Sequence, residues 1–182
     1  MQPKYFNRLK KDFLSIYEEK NIPKNNIDYF CALKNFLIIN KKTLGVDNLK
    51  KEGLMLFLDV HQPHDYVVDC EVFDFNNEAK IIAKRSFDNP DRILGFIKNR
   101  LYELVTYFVD KKCPHECGFL MLTKLKKTSG ELLSLECPVC TLIENLDGSK
   151  YISDGDDEFA LVNKNEAKNI ENKNYGFNLL YW

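Results

Sequence analysis

The sequence has no apolar run long enough to cross a bilayer. Its longest stretches, residues 54–58 and 36–39, fall far short of the ~18 residues a spanning helix requires. It also lacks a charge excess of either sign. With 26 basic and 27 acidic residues the net charge is -1, so bulk electrostatics does not carry the chain to nucleic acid or an anionic membrane, and any such contact must come from a local patch. Glycine (8) and proline (6) are sparse, which leaves no collagen-like repeat, no flexible Gly/Ser linker and no Gly-rich phosphate loop. Arginine is scarcer still, at 4 against 22 lysines, a bias that genome composition sets more readily than function. No Ser or Cys nucleophile stands beside a histidine. Residues 1–20 carry Lys4, Arg8, Lys10, Lys11, Asp12, Glu18 and Glu19 with no apolar stretch of a secretory leader, which predicts a cytoplasmic protein whose cysteines stay reduced.

What is present is a globular composition, 45% hydrophobic and 29% charged, at a length that can bury a real core. Charge varies along the chain: residues 1–50 carry 10 basic and 5 acidic groups, while residues 153–182 carry 3 and 6. Tyr5, Phe6, Leu9, Phe13, Ile16 and Tyr17 recur at helical spacing and predict an amphipathic first helix. Residues 27–39 read as a short helix passing into a strand. Residues 54–60, 66–75 and 80–87 read as antiparallel strands, separated by a turn at Pro63 and another at Asn76 and Asn77. Asn89 or Asp88 as N-cap, with Pro90, then opens a long helix reaching about residue 110, placed over that sheet. The predicted fold is α+β: an N-terminal helix, an antiparallel sheet covered by a long helix, and a metal module. The expected divisions are a body at 1–112, the module at 113–152 and a C-terminal segment at 153–182 packing on the body.

The module is the clearest signal. Cys113-Pro-His-Glu-Cys117-Gly118 is followed by Cys137-Pro-Val-Cys140, with 19 residues between Cys117 and Cys137. Two close cysteine pairs can each turn back on themselves and offer four thiolates to one tetrahedral zinc at about 2.3 Å. Residues 119–125 and 131–135 have strand character on either side of 127–130, so a hairpin brings the pairs together. A third strand is expected near 142–146, with a turn at Asp147 and Gly148. The stretch 113–152 resembles a zinc ribbon, which implies one structural zinc held by Cys113, Cys117, Cys137 and Cys140. The first pair is separated by three residues where ribbons usually have two, so His115 is an alternative ligand. A redox reading of Cys137 and Cys140 leaves the other pair unexplained. A nucleobase deaminase is excluded because His115 and Glu116 are adjacent and Pro138 follows Cys137. Four protein ligands close the shell and leave no position for an activated water, which favours a structural ion over a catalytic one. Cys31 and Cys70 sit in apolar segments and read as small core residues.

Weaker candidates surround it. His61 and His64, near Asp59 and Asp65, are conceivable as a second metal or acid–base site, but a polar turn is the preferred reading because no third ligand is fixed by spacing. Asp65 with Glu78-Ala79-Lys80 resembles a restriction-type nuclease core. However, 13 Glu and a Lys fraction of 22 in 182 predict roughly 1.6 Glu-x-Lys by chance, and four are present, so the match carries no information. Asp154, Asp156, Asp157 and Glu158 begin like a calcium loop, but Phe159 and Asn165 stand where an EF-hand needs Gly and Glu. They read first as a solvated acidic loop and second as an acidic patch able to meet a basic groove, and Lys124, Lys126 and Lys127 as an ordinary exposed edge or, in the second reading, as the basic counterpart for a partner or for phosphate. The closing Tyr175, Phe177, Leu179, Leu180, Tyr181 and Trp182 are apolar for a tail and predict a last strand on the chain's own sheet.

As a whole, a small Asn- and Lys-rich chain with a ribbon and mixed charge patches looks like phage proteins that bind host machinery, including anti-CRISPR inhibitors. That resemblance implies a non-enzymatic, zinc-stabilised inhibitor that blocks DNA loading by a type II effector nuclease in the host cytoplasm. Its partner is then a protein or ribonucleoprotein, with no membrane role. A zinc-ribbon transcription or nucleic-acid accessory protein is the alternative, and a metal-dependent nuclease the third.

Overall fold

The computed structural model describes the whole chain except residues 1–2, 69–73, 129, 154, 156, 174 and 181–182. It divides into two compact units, Met1–Leu104 and Val105–Trp182.

All the regular secondary structure described in the first unit is helical. Helix α1 (Pro3–Leu14) buries Leu9 and Phe13, one turn apart, as the apolar spacing predicts. Phe13 is the hub of an aromatic core: its ring meets Tyr17, Phe36, Phe87 and Phe96 edge-on, at centroid distances from 5.0 to 5.7 Å. Helix α2 (Asn26–Leu44) is continuous where a helix-to-strand change was expected. Asn25 caps it by accepting from the Asp28 N–H at 2.8 Å, and Gly45, at φ 84°, ends it. The apolar run at 36–39 is a place where two faces adjoin: Phe36 and Leu37 point inward and Ile38 and Ile39 outward.

Three further expectations fail here. Residues 54–60 form no strand but one helical turn, α4 (Met55–Leu58), after the short α3 (Val46–Lys51). Leu54 and Phe57 are fully buried, and Phe57 packs edge-on against Phe30 and Tyr102. The strand placed at 66–75 lies half outside the described residues; of the rest, 66–68 and Asp74 are not strand and Phe75 opens a helix. Residues 75–84 form helix α5 (Phe75–Lys84) rather than a turn and a strand, because Asp74 caps it by accepting from the Asn77 N–H. Helix α6 (Pro90–Val105) starts as predicted, with Asn89 accepting from the Arg92 N–H at 3.0 Å. It stops well before residue 110.

The antiparallel sheet lies wholly in the second unit. Its strands are β1 (Tyr107–Lys112), β2 (Phe119–Lys127), β3 (Gly130–Glu136), β4 (Ile143–Asn145), β5 (Glu158–Ala160) and β6 (Leu179–Leu180). They run in the order β4-β3-β2-β1-β6, and β5 pairs with β2 at 124–126, beyond the reach of β1. The hairpin and third strand of the ribbon appear where the sequence placed them. Two differences concern its neighbours. Residues 107–112, of which those up to about 110 were expected in the preceding helix, are a sheet strand, since Tyr107 and Val109 alternate inward. The segment after 152 returns two strands to this same sheet. Phe177 and Leu179 are buried, and β6 pairs with β1, as the apolar ending predicts; Tyr181 and Trp182 lie outside the described residues. Helix α7 (Lys164–Asn172) opens on a reciprocal capping box between Asn163 and Glu166 and buries Ala167 and Ile170. Mixed helix and antiparallel sheet, the α+β class, therefore stands, with the strands shifted towards the C-terminus. No described helix is long and apolar enough to cross a membrane.

Candidate metal centre

The four cysteines come from two turns between consecutive strands. Cys113 follows β1 and Cys117 precedes β2; Cys137 follows β3 and Cys140 precedes β4. The β2–β3 hairpin, in register from Met121 opposite Glu136 to Lys127 opposite Gly130, sets the two turns side by side. All four sulfurs lie within 4.8 Å of one another, the only such group of potential ligands among the described residues. The Sγ atoms of Cys113 and Cys140 are 3.6 Å apart. A tetrahedral zinc with Zn–S bonds near 2.3 Å needs sulfur–sulfur edges of about 3.8 Å, so the cluster has the size of a four-thiolate metal site.

Each turn is closed by its own backbone. In the first, the Cys113 N–H donates to Gly118 O at 2.8 Å and the Glu116 N–H to Cys113 O at 2.9 Å. Its extra residue is absorbed by left-handed backbone at Glu116, φ 56°, and by Gly118 at φ 142°. In the second, the Cys137 N–H donates to Leu142 O and the Thr141 N–H to Cys137 O, both at 2.9 Å, with Thr141 at φ 57°. The turns also aim donors at sulfur. The His115 N–H points to Cys113 Sγ at 3.4 Å and the Cys140 N–H to Cys137 Sγ at 3.5 Å.

Cys113 and Cys137 are buried, whereas Cys117 and Cys140 are partly open to solvent. Burial works against ionising Cys137, yet the amides of Cys140 and Val139 and the neighbouring thiols hold it down at about 7. Cys117 is pushed up to about 12, first by desolvation, then by hydrogen bonding to the other three sulfurs and the charge on Cys113. Four thiolates at this spacing repel one another, and a divalent cation at their centre removes that repulsion. His115 Nδ1 lies 3.4 Å from Cys140 Sγ, so its ring is a hydrogen-bonding neighbour of the cluster.

The other predicted residues are distributed as follows. Lys124 is nearly buried on β2, and its ammonium meets Glu166 at 2.9 Å and Glu131 at 3.3 Å. Lys127 lies over the Tyr151 ring, 4.6 Å from its centroid, and 3.8 Å from the Asp157 carboxylate, which also accepts from the Tyr151 hydroxyl at 2.7 Å. Basic and acidic groups assigned to a partner thus meet one another. Lys126 and Glu158 are exposed and opposite each other in the β2–β5 ladder. Asp154 and Asp156 lie outside the described residues. His61 and His64 are exposed, His64 stands 3.4 Å from Asp65, and among the described residues no third ligand joins them. Cys31 is half-buried on α2, its thiol pushed up by burial, and Cys70 lies outside the described residues.

Glu78, expected as a solvent-exposed charge beside a turn, is instead buried. It accepts from Arg100 Nε at 2.6 Å and from the Tyr29 hydroxyl at 3.2 Å, and the Tyr29 and Tyr17 hydroxyls share a hydrogen bond of 2.7 Å. Its carboxylate is committed to holding helices together. The sequence reading missed this network because Glu78 was placed beside a hairpin turn at Asn76 and Asn77 rather than on a helix; the Asp74 cap was the available signal.

No family model, curated protein or solved structure matches the chain.

Proposed function

We propose that the protein is a zinc-stabilised, non-enzymatic binding protein that acts by occupying a partner protein or nucleoprotein. The observation that carries it is the closed set of four sulfurs. A shell completed by protein ligands leaves no place for substrate or activated water, so the ion's role is to hold the sheet. Protein binding is preferred over phosphate binding because two of the three ribbon lysines already serve carboxylates of the chain itself. The nuclease reading loses its glutamate to Arg100.

The finer form of this proposal is an inhibitor of DNA loading by an RNA-guided nuclease, which rests on composition and on the ribbon. Two experiments test the two levels. Elemental analysis of protein purified without added metal should give one zinc per chain. Cys137→Ser should lose it, and His115→Ala should keep it. A preparation without zinc would falsify the structural-ion reading. For the finer level, target-DNA loading and cleavage by a type II effector are measured with and without the protein. Absence of any effect, together with tight, salt-sensitive binding to free DNA or RNA, would favour the accessory-factor reading.

A further inference from the structure

β3 is paired with β2 along its whole length, but β4 accompanies it only at residues 134–136. Beyond Asn145 the chain turns away, with the Gly148 N–H donating to Asn145 O, and no described strand lies beside residues 130–133 on that side. Only two residues separate the paired Lys127 and Gly130, which makes that pair the closing hydrogen-bonded one. By the alternation of an antiparallel ladder, Glu131 and Leu133 then direct their N–H and C=O groups away from β2. The usual guards of an open edge are missing. The stretch Gly130-Glu131-Leu132-Leu133 has no lysine and no proline, and its one charge, Glu131, is drawn onto the sheet face by Lys124.

Beside this edge lies an open cleft of about 320 Å³ between β3 and α7, lined by Leu133, Leu146, Ile170 and Tyr175, with Asn169 and Lys173 at its margin. The two carboxylates there, Glu131 and Glu166, are both taken by Lys124. Among the described residues Lys173 has no carboxylate in ion-pair range, so its ammonium is available to a partner's acid.

We infer that an extended segment of a partner protein adds as a strand to the outer edge of β3. Its backbone pairs with Glu131 and Leu133, an aliphatic side chain fills the cleft, and a carboxylate on the same face meets Lys173. The inference rests on the protein-binding reading and assigns it a surface. Each part of the occupant answers an observation: unpaired backbone groups require an extended chain, the apolar cleft requires the aliphatic residue, and Lys173 requires the acid.

The test uses the full zinc-loaded chain and a library of short random peptides displayed on ribosomes, from which the best binder is synthesised. The expected sequences place Asp or Glu two positions from Leu, Ile or Val. Methylating the peptide's backbone nitrogens one at a time should weaken binding by about ten-fold or more at every second position and leave the positions between unaffected. Lys173→Glu should weaken it by about three-fold with zinc content and melting temperature unchanged. A flat methylation scan with binding retained overturns strand addition while leaving the protein-binding reading intact. That reading stands or falls separately, in the loading and cleavage assay. Failure to enrich any peptide, or peptides indifferent to Lys173→Glu, also overturns the inference. So does a concentration-dependent dimer that Glu131→Pro abolishes, since the edge then pairs with a second copy.

Discussion

Thr141 occupies the left-handed region immediately after the last ligand, at φ 57°, a conformation that costs a β-branched residue more than any other type. The first turn has glycine in the corresponding place, Gly118 after Cys117; the second does not. Its hydroxyl recovers part of the cost by donating to Cys140 O at 2.7 Å. Replacing Thr141 by glycine removes the strain and that bond together. The expected net effect is a stabilisation of about 0.5–1 kcal/mol, seen as a higher unfolding midpoint of the zinc-loaded protein. His115 illustrates a different limit. From spacing alone it competes with the cysteines as a ligand. The fold of the turn brings the four sulfurs within 4.8 Å of one another without His115 in that group, and sets the His115 ring 3.4 Å from Cys140 Sγ.

Between elements, the decisive interaction of the first unit is the pairing of Glu78 on α5 with Arg100 on α6. Glu78's side chain is 8% exposed and Arg100's 24%, and Arg100 also bonds Glu103 and lies over the Phe96 ring. Glu78→Ala strands the guanidinium and removes the acceptor of the Tyr29 hydroxyl. Because Arg100 keeps Glu103 and some solvent, the loss should fall near the low end for broken buried pairs, about 3 kcal/mol in a urea titration. Such a network was illegible from sequence because it depends on reading residues 75–84 as a helix. Short apolar runs such as 54–58 and 36–39 fit a buried strand and a buried helical turn equally well, and periodicity cannot separate them. Asn163 and Glu166, three apart, were a readable start signal for α7 that the acidic stretch before them obscured. The ribbon was legible because its signals are local: turn residues between paired cysteines, and alternation on both sides of a short loop. The lysines and acids of 124–127 and 157–166 misled for the opposite reason. Their partners lie some thirty to forty positions away in the chain, and only the sheet brings them together.

At the scale of the molecule, the four-cysteine site and the helical core lie in different units. Binding free energies of structural zinc, about 10–16 kcal/mol in small modules, are comparable with a domain's entire stability. A chelator should therefore unfold the sheet unit and leave the helical one standing. The expected circular-dichroism change on adding EDTA is loss of strand signal with the helical minima retained, and zinc should reverse it. Simultaneous loss of both signals would show that the helical unit also depends on the ion.

The cysteines flank strands that are consecutive in the chain, and this gives the second unit an order of assembly. Pairings from β1 to β4 join near neighbours in sequence and form quickly, whereas β5 and β6 must return over longer loops, whose closure costs more entropy. Zinc can thus be captured by a four-strand meander before the later strands arrive. The expectation is that metal binding speeds the pairing of β1 to β4 and leaves the return of the final strands as the slow step, which stopped-flow refolding with and without zinc would resolve as two phases.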